Sequence, residues 1–451
     1  MRGRRDGCFR FTATPSSLFH SRGASMLDRL KKVPLAVQIL VGLAIGAVAG
    51  LLLPRAGTNA QVDETVAALS LGGRLWLQAL QMTILPLVFA LLSTLFIRSQ
   101  ALGGGGRTTR RSFVTIIGLY LLAVPLGILC TLTLLELFPI TAEMAQSMRA
   151  MAGQGVPAES PEWAEAFLAI VPTNIVAAMA GGTLLPVLFF SLVFGAALAR
   201  LEDGDGKQAL SAGLTGLADT VFIIVGWVLR LAPIGVALLI LPTTQEHGAD
   251  IFAGLAHYIA LAVTQVLVFI AAIYLVARLL GRIPLRRFAS AMLPVQSVAF
   301  GTQSSTGCMP LTIKAAREMG VSAEATDVAV PLSAVIFRMI APASGIFIAS
   351  YAAAVYDLPP LGIALLVTVG LLGIVLEMSL VGIPSAATFV AFYAPIAALV
   401  GIPMEFIVVL LVVETIPDIF KTVLHVTAHA TTATVVDRGL AGPDPITTEK
   451  G

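Results

Sequence analysis

Long apolar runs, separated by short polar stretches, set the organisation of this chain. Runs of about the 20 residues needed to cross a bilayer lie near 35–54, 70–97, 112–138, 166–200, 211–241 and 251–281. After residue 281 the pattern changes. Residues 286–318 are apolar but interrupted by Gly301-Thr302-Gln303-Ser304-Ser305-Thr306-Gly307-Cys308-Met309-Pro310. Arg286 and Arg287 precede this segment, and Lys314 and Arg317 close it. Basic residues mark the cytoplasmic side, so both ends lie inside and a re-entrant hairpin with a polar tip is predicted. A spanning helix follows near 323–352. Residues 361–400 form a second interrupted run, broken at Glu377-Met378-Ser379-Leu380-Val381-Gly382-Ile383-Pro384-Ser385, with both ends outside. A last helix over 401–437 returns inside. The predicted fold class is an all-α polytopic membrane protein, with about eight transmembrane helices and two opposed re-entrant helical hairpins in an inverted repeat.

Composition agrees. Of 451 residues, 57% are hydrophobic and only 12% charged, and the mean hydropathy is +0.91. Soluble domains carry about 25% charged residues, so a soluble fold is excluded. The net charge of +2 matters less than its placement. Lys and Arg cluster in 2–32, 98–111, 278–287 and 314–317, and are missing from 243–250 and 356–361. Both termini are therefore expected in the cytoplasm. Gly-, Ala- and Arg-rich usage points to a bacterial inner membrane. Residues 1–25 are basic and polar without an apolar h-region, so they are no signal peptide. They are either a disordered extension or the product of a start misassigned upstream of Met26. Three scattered cysteines show no metal-ligand spacing.

One stripe of ionisable residues crosses the last helix: Glu414, Asp418, Lys421, His425 and His429. At 100° per residue they share an arc of roughly 80°. Each charge near the bilayer centre costs roughly 2.5–3.5 kcal/mol on insertion scales, so this face meets protein, ligand or water. Paired Gly/Pro-interrupted segments in corresponding positions point to the binding site of a secondary transporter. Hydroxyls and free backbone N–H groups at such tips suit a small anion.

At these residues the chain resembles the dicarboxylate/amino acid:cation symporter family, the glutamate transporter homologues, over residues 33–438. Met82-Thr83-Ile84-Leu85-Pro86-Leu87-Val88-Phe89, Ile170-Val171-Pro172-Thr173-Asn174 and Ala232-Pro233-Ile234-Gly235-Val236 carry the likeness in the early helices. Ser304-Ser305-Thr306-Gly307-Cys308-Met309-Pro310 and Val381-Gly382-Ile383-Pro384-Ser385 carry it at the two tips. The resemblance implies a homotrimer, with the first six helices (26–281) as scaffold. It implies a mobile transport core over 282–438, made of hairpin 1 (286–318), helix 7, hairpin 2 (361–400) and helix 8, followed by a cytoplasmic tail over 439–451. It also implies substrate contacts from Ser304, Ser305, Thr306, Gly307, Gly382, Ile383, Pro384, Asp418, Lys421, Thr422 and His425. Asp418 falls where amino-acid-transporting members hold the substrate ammonium. Lys421 falls where an Arg grips an acidic side chain, although Lys lacks the bidentate fork. His425 replaces an Asn that binds the α-carboxylate.

The departures point to coupling. Where the family reads Asn-Met-Asp-Gly-Thr at its sodium centre, this chain reads Phe337-Arg338-Met339-Ile340-Ala341, and a late sodium-ligand Asp is His429. Sodium wants oxygen ligands. The usual sodium sites are thus expected to be lost, with charge balance from Arg338, Glu377, Glu414 and His429, and with H+ as the coupling cation. No metal and no other cofactor is expected. Blander readings stand beside this one: Arg338 and Glu377 as a purely structural pair, and Glu414 as a helix end that meets water.

The expected function is symport of a small amino acid or dicarboxylate, an acidic amino acid foremost, by alternating access, independent of sodium. Exchange and an uncoupled anion channel are the alternatives. The expected partners are a small anionic or zwitterionic substrate and the lipid bilayer, with no nucleic acid. No nucleophile–base arrangement supports an enzyme, and the short stretch after the last helix argues against a sensor.

Overall fold

The computed structural model describes residues 35–102, 106–152, 171–181, 184–248, 251–380 and 385–440. The expected extension over 1–25 and the tip residues Gly382, Ile383 and Pro384 lie outside the described residues. The first part of the fold is helical: α1 Leu35–Leu52, α2 Ala60–Gln81, α3 Ile84–Leu102, α4 Arg107–Leu137 and α5 Ala142–Ala152. It continues with α6 Ile175–Ala180, α7 Leu184–Arg200, α8 Asp205–Arg230, α9 Ala232–His247 and α10 Ile251–Leu279. Then α11 Leu285–Thr302 and α12 Met309–Glu318 form the first hairpin, and α13 Ala323–Ile336 and α14 Ala341–Val355 form a broken span. The pair α15 Ile363–Ser379 and α16 Ser385–Val400 are the arms of the second interrupted run, and α17 Met404–Val413 and α18 Thr415–Leu440 close the fold.

Several predicted runs are two helices rather than one. The run over 70–97 divides between α2 and α3, where the Thr83 hydroxyl donates to the Leu80 carbonyl at 2.7 Å. The run over 211–241 divides at Leu231. Pro233, at the start of α9, has no N–H to continue the ladder. The span near 323–352 and the last helix are divided too, as described below.

Exposure is inverted relative to a water-soluble protein. In α1, Val41, Ile45 and Leu52 are 51%, 61% and 80% exposed. The opposite face carries Gly42, Gly46 and Gly50, each against the backbone of α9, where a Cβ would collide. Small residues at four-residue spacing allow such close helix contact in a bilayer, while the apolar face meets lipid. Among the described residues, five helical stretches are long and apolar enough to cross a membrane, and the span from Ala323 to Val355 is the most enclosed of them. Every residue of α14 except Ala354 is buried, as expected of a helix apolar on all sides.

Helix α18 lies at the centre. It packs against α4, α10, α11, α12 and α13. The first hairpin reverses at Gln303, which adopts a left-handed φ of 52°. Ser304 Oγ then accepts the Gly307 N–H at 3.1 Å and tightens the tip.

Candidate functional site

The site is built around the break between α13 and α14. These helices have 14 and 15 residues, so at 1.5 Å per residue each is about 21–23 Å long. The break therefore sits near mid-depth. Phe337 is extended (φ −123°, ψ 102°), and Pro342 in the first turn of α14 lacks the N–H that would bridge the gap.

Backbone groups bared in a bilayer must find partners. Tyr120 of α4 supplies two contacts: its hydroxyl donates to the Ile336 carbonyl at 2.8 Å and accepts the Arg338 N–H at 3.0 Å. Its ring meets Phe337 edge-on at 4.9 Å. The Phe337 carbonyl lies 3.0 Å from His429 Nε2. A carbonyl can only accept, so Nε2 carries the proton. Arg338 itself reaches across to α15, where its Nη1 lies 3.1 Å from Glu377 Oε1. The Glu377 side chain is 7% exposed and that of Arg338 33%.

The second half of the site is α18. Pro417 has no N–H for the Val413 carbonyl, and the last helix is interrupted at Glu414. The Lys421 ammonium, two turns further on, forms an ion pair with Glu414. Helical side chains lean toward the N-terminus, which lets Lys421 reach back. Tyr258 of α10 donates to the other Glu414 oxygen at 3.2 Å. Tyr393 of α16 faces Lys421 and Ser344. Glu414 is buried, so the reading in which it meets water at a helix end does not hold. Lys421, which the resemblance places against an acidic side chain, is paired within its own helix.

Asp418 has no ion-pair partner among the described residues, and its charge interacts with those of Lys421 and Arg338. The Thr422 hydroxyl donates to the Asp418 carbonyl at 2.8 Å. Thr427, Thr431 and Thr432 bond the same way to carbonyls one turn back. His425 is the exception on this buried face: its Nε2 is enclosed and has no partner among the described residues. Arg338, His429 and Lys421 surround it electrostatically.

The first hairpin leans on this helix through Phe300, edge-on to Phe420 at 5.7 Å, and through Gln296, whose Nε2 donates to Thr427 Oγ1 at 2.9 Å. Ser304 and Ser305 at its tip are half-buried, and Thr306 and Gly307 are exposed. The fold thus gathers Arg338, Glu377, Glu414, Asp418, Lys421, His425 and His429. Sequence reasoning missed Tyr120, Tyr258, Tyr393 and Gln296. The available signal was a phenol or amide within an apolar span, since such groups need partners when buried.

The polar groups bared at the break are engaged from within the chain. The Phe337 carbonyl is engaged by His429, the Ile336 carbonyl by Tyr120, and Glu377 by Arg338. A sodium ion within 4 Å of the guanidinium would meet a repulsion of about 4 kcal/mol at an effective dielectric of 20.

A broken span, a re-entrant hairpin and a buried file of paired charges define a polytopic integral membrane protein with its polar site inside the helix bundle. The chain belongs to the sodium:dicarboxylate symporter family, which it matches over residues 35–439. It is 28% identical over 424 residues to the proton/glutamate-aspartate symporter of Escherichia coli, covering 90% of this chain and 92% of that one. It is 25% identical over 423 residues to the proton/sodium-glutamate symport protein of Bacillus subtilis, covering 90% and 93%. A serine/threonine transporter of Bifidobacterium adolescentis is 26% identical over 304 residues, covering 67% and 65%. Family members are symporters rather than enzymes, and this chain is a cation-coupled symporter by family.

Proposed function

We propose that this protein carries a small amino acid across a bacterial inner membrane by alternating access, as a homotrimer. In this reading Arg338 takes the place of a co-transported sodium ion, and protons are the coupling cation. The Arg338–Glu377 pair at the helix break carries the proposal. A tethered guanidinium balances Glu377 in every state and cannot leave with the substrate. A buried carboxylate without a partner costs several kcal/mol, so the family's need for a cation here is met from within the chain. Asp418, lacking an ion-pair partner among the described residues, suits a substrate ammonium, and His425 Nε2 suits a carboxylate. Relatives are named for proton-linked glutamate and aspartate transport, for serine/threonine transport and for C4-dicarboxylate transport, and Asp418 supports the amino acids among these. Exchange is the second reading, because a fixed internal cation supplies no gradient of its own.

The test is uptake of radiolabelled L-aspartate, L-glutamate and L-serine into proteoliposomes under inward sodium or proton gradients. Uptake driven by protons and indifferent to sodium is expected. Uptake that saturates with sodium overturns the reading, and uptake only against internal amino acid selects exchange.

A further inference from the structure

Charge pairing within the site bears on which amino acid it takes. Lys421 is the only Lys or Arg in the stripe from Glu414 to His429. Its ammonium is paired with Glu414, within the same helix, in a buried contact. Glu414 is fixed from the other side by the Tyr258 hydroxyl at 3.2 Å. Arg338 is paired with Glu377. Two cations and two anions therefore cancel, and Asp418 remains, with His425 Nε2, which has no partner among the described residues, two turns along the same face.

That remainder matches a zwitterion. The substrate ammonium offsets Asp418, and the substrate carboxylate meets the His425 ring in the field of Arg338 and Lys421. Among the described residues of the site, a second carboxylate would find no cation without an anion already paired to it. To reach Lys421 it would have to displace Glu414 and leave that carboxylate buried with a single hydroxyl partner. Leaving one member of a buried pair alone is strongly unfavourable, and specificity follows from such unpaired charges.

We propose that Glu414 is a specificity-determining residue: by neutralising Lys421 within the helix, it fits the site to amino acids with uncharged side chains and closes it to acidic ones. This rests on the reading that the site takes an amino acid. The discrimination expected is at least about 100-fold.

The experiment measures thermal stabilisation and competition binding on the purified full-length protein with L-alanine, L-serine, L-aspartate and L-glutamate, in the wild type and in Glu414→Gln. The wild type is expected to bind L-serine or L-alanine and to respond to L-aspartate at least about 100-fold more weakly. Glu414→Gln, which frees Lys421, is expected to gain at least about 10-fold in L-aspartate affinity. Wild-type protein that prefers L-aspartate or L-glutamate overturns the inference, whether or not the variant folds. So does a folded Glu414→Gln protein whose L-aspartate affinity is unchanged. A wild type that binds none of the four removes the amino-acid reading itself, and the inference falls with it.

Discussion

Arg338, in the break between α13 and α14, and Glu377, near the end of α15, form an ion pair of 3.1 Å that joins two separate elements of the core. Removing one partner strands the other. Arg338→Met is expected to lower stability by about 3–5 kcal/mol and to abolish uptake. The double variant Arg338→Met/Glu377→Met should recover much of the stability, because replacing both members of a buried pair with apolar groups is often near neutral, but not uptake. Thermal unfolding in detergent together with proteoliposome uptake checks this. A folded single or double variant that transports as well as the wild type would show that the pair has no part in transport.

Tyr120 serves both sides of the break, donating to Ile336 and accepting from Arg338. Tyr120→Phe keeps the ring on Phe337 and removes only the hydroxyl. The expected cost is about 1–3 kcal/mol, the penalty for buried backbone groups left unsatisfied. Unfolding midpoints of the two proteins would reveal it, and equal midpoints would mean that another group satisfies the break.

The glycines of α1 make a prediction about packing alone. A Cβ at Gly46 would collide with Ala237 and Ile240 of α9. Gly46→Leu should destabilise the early helices by about 1–3 kcal/mol or more through overpacking. Gly118, inside α4, meets nothing within 4 Å of a Cβ, so Gly118→Ala is the control and should keep or raise the unfolding midpoint, since Ala favours a helix interior over Gly by about 0.5–1 kcal/mol.

Tyr356, just beyond the Val355 end of the span, has a buried hydroxyl without a partner among the described residues. Burial pushes its phenol up to about 12, Glu405 adds to the rise and Arg149 opposes it. A raised value means that the folded state favours the neutral phenol. That stability is fully present below the unfolded value of 10.0 and is lost as pH rises through about 12. Tyr356→Phe should equal or exceed the wild type by up to about 1 kcal/mol at neutral pH, with its advantage growing above pH 10. Unfolding midpoints across alkaline pH test this, and an advantage that shrinks with rising pH would contradict it.

The hydrophobic pattern located the apolar runs because a bilayer demands about 20 residues per crossing, and composition alone excluded a soluble fold. Breaks were legible where glycine, proline and serine cluster, as at Ser304–Gly307. They were less legible at Leu231 and Glu414, where one proline a few residues later interrupts the ladder. The stripe from Glu414 to His429 could be read from helical spacing. Its pairing could not. Spacing puts Glu414 and Lys421 on one face, but Asp418 and Glu377 are equally plausible partners until α10 and α16 bring Tyr258 and Tyr393 alongside. Arg338 stood out as a charge in an apolar span, whereas the role of His429 as donor to Phe337 depends on a tertiary contact across 92 residues.

Sodium dependence of substrate binding is the decisive measurement. The dissociation constants of L-serine and L-aspartate should be determined on the purified protein by calorimetry, with sodium exchanged for choline at constant ionic strength. Affinities unchanged by the exchange are expected if Arg338 and Glu377 already balance their own charge. Binding that tightens as sodium rises would mean that a cation enters this site despite the guanidinium, and would contradict the replacement of sodium by Arg338.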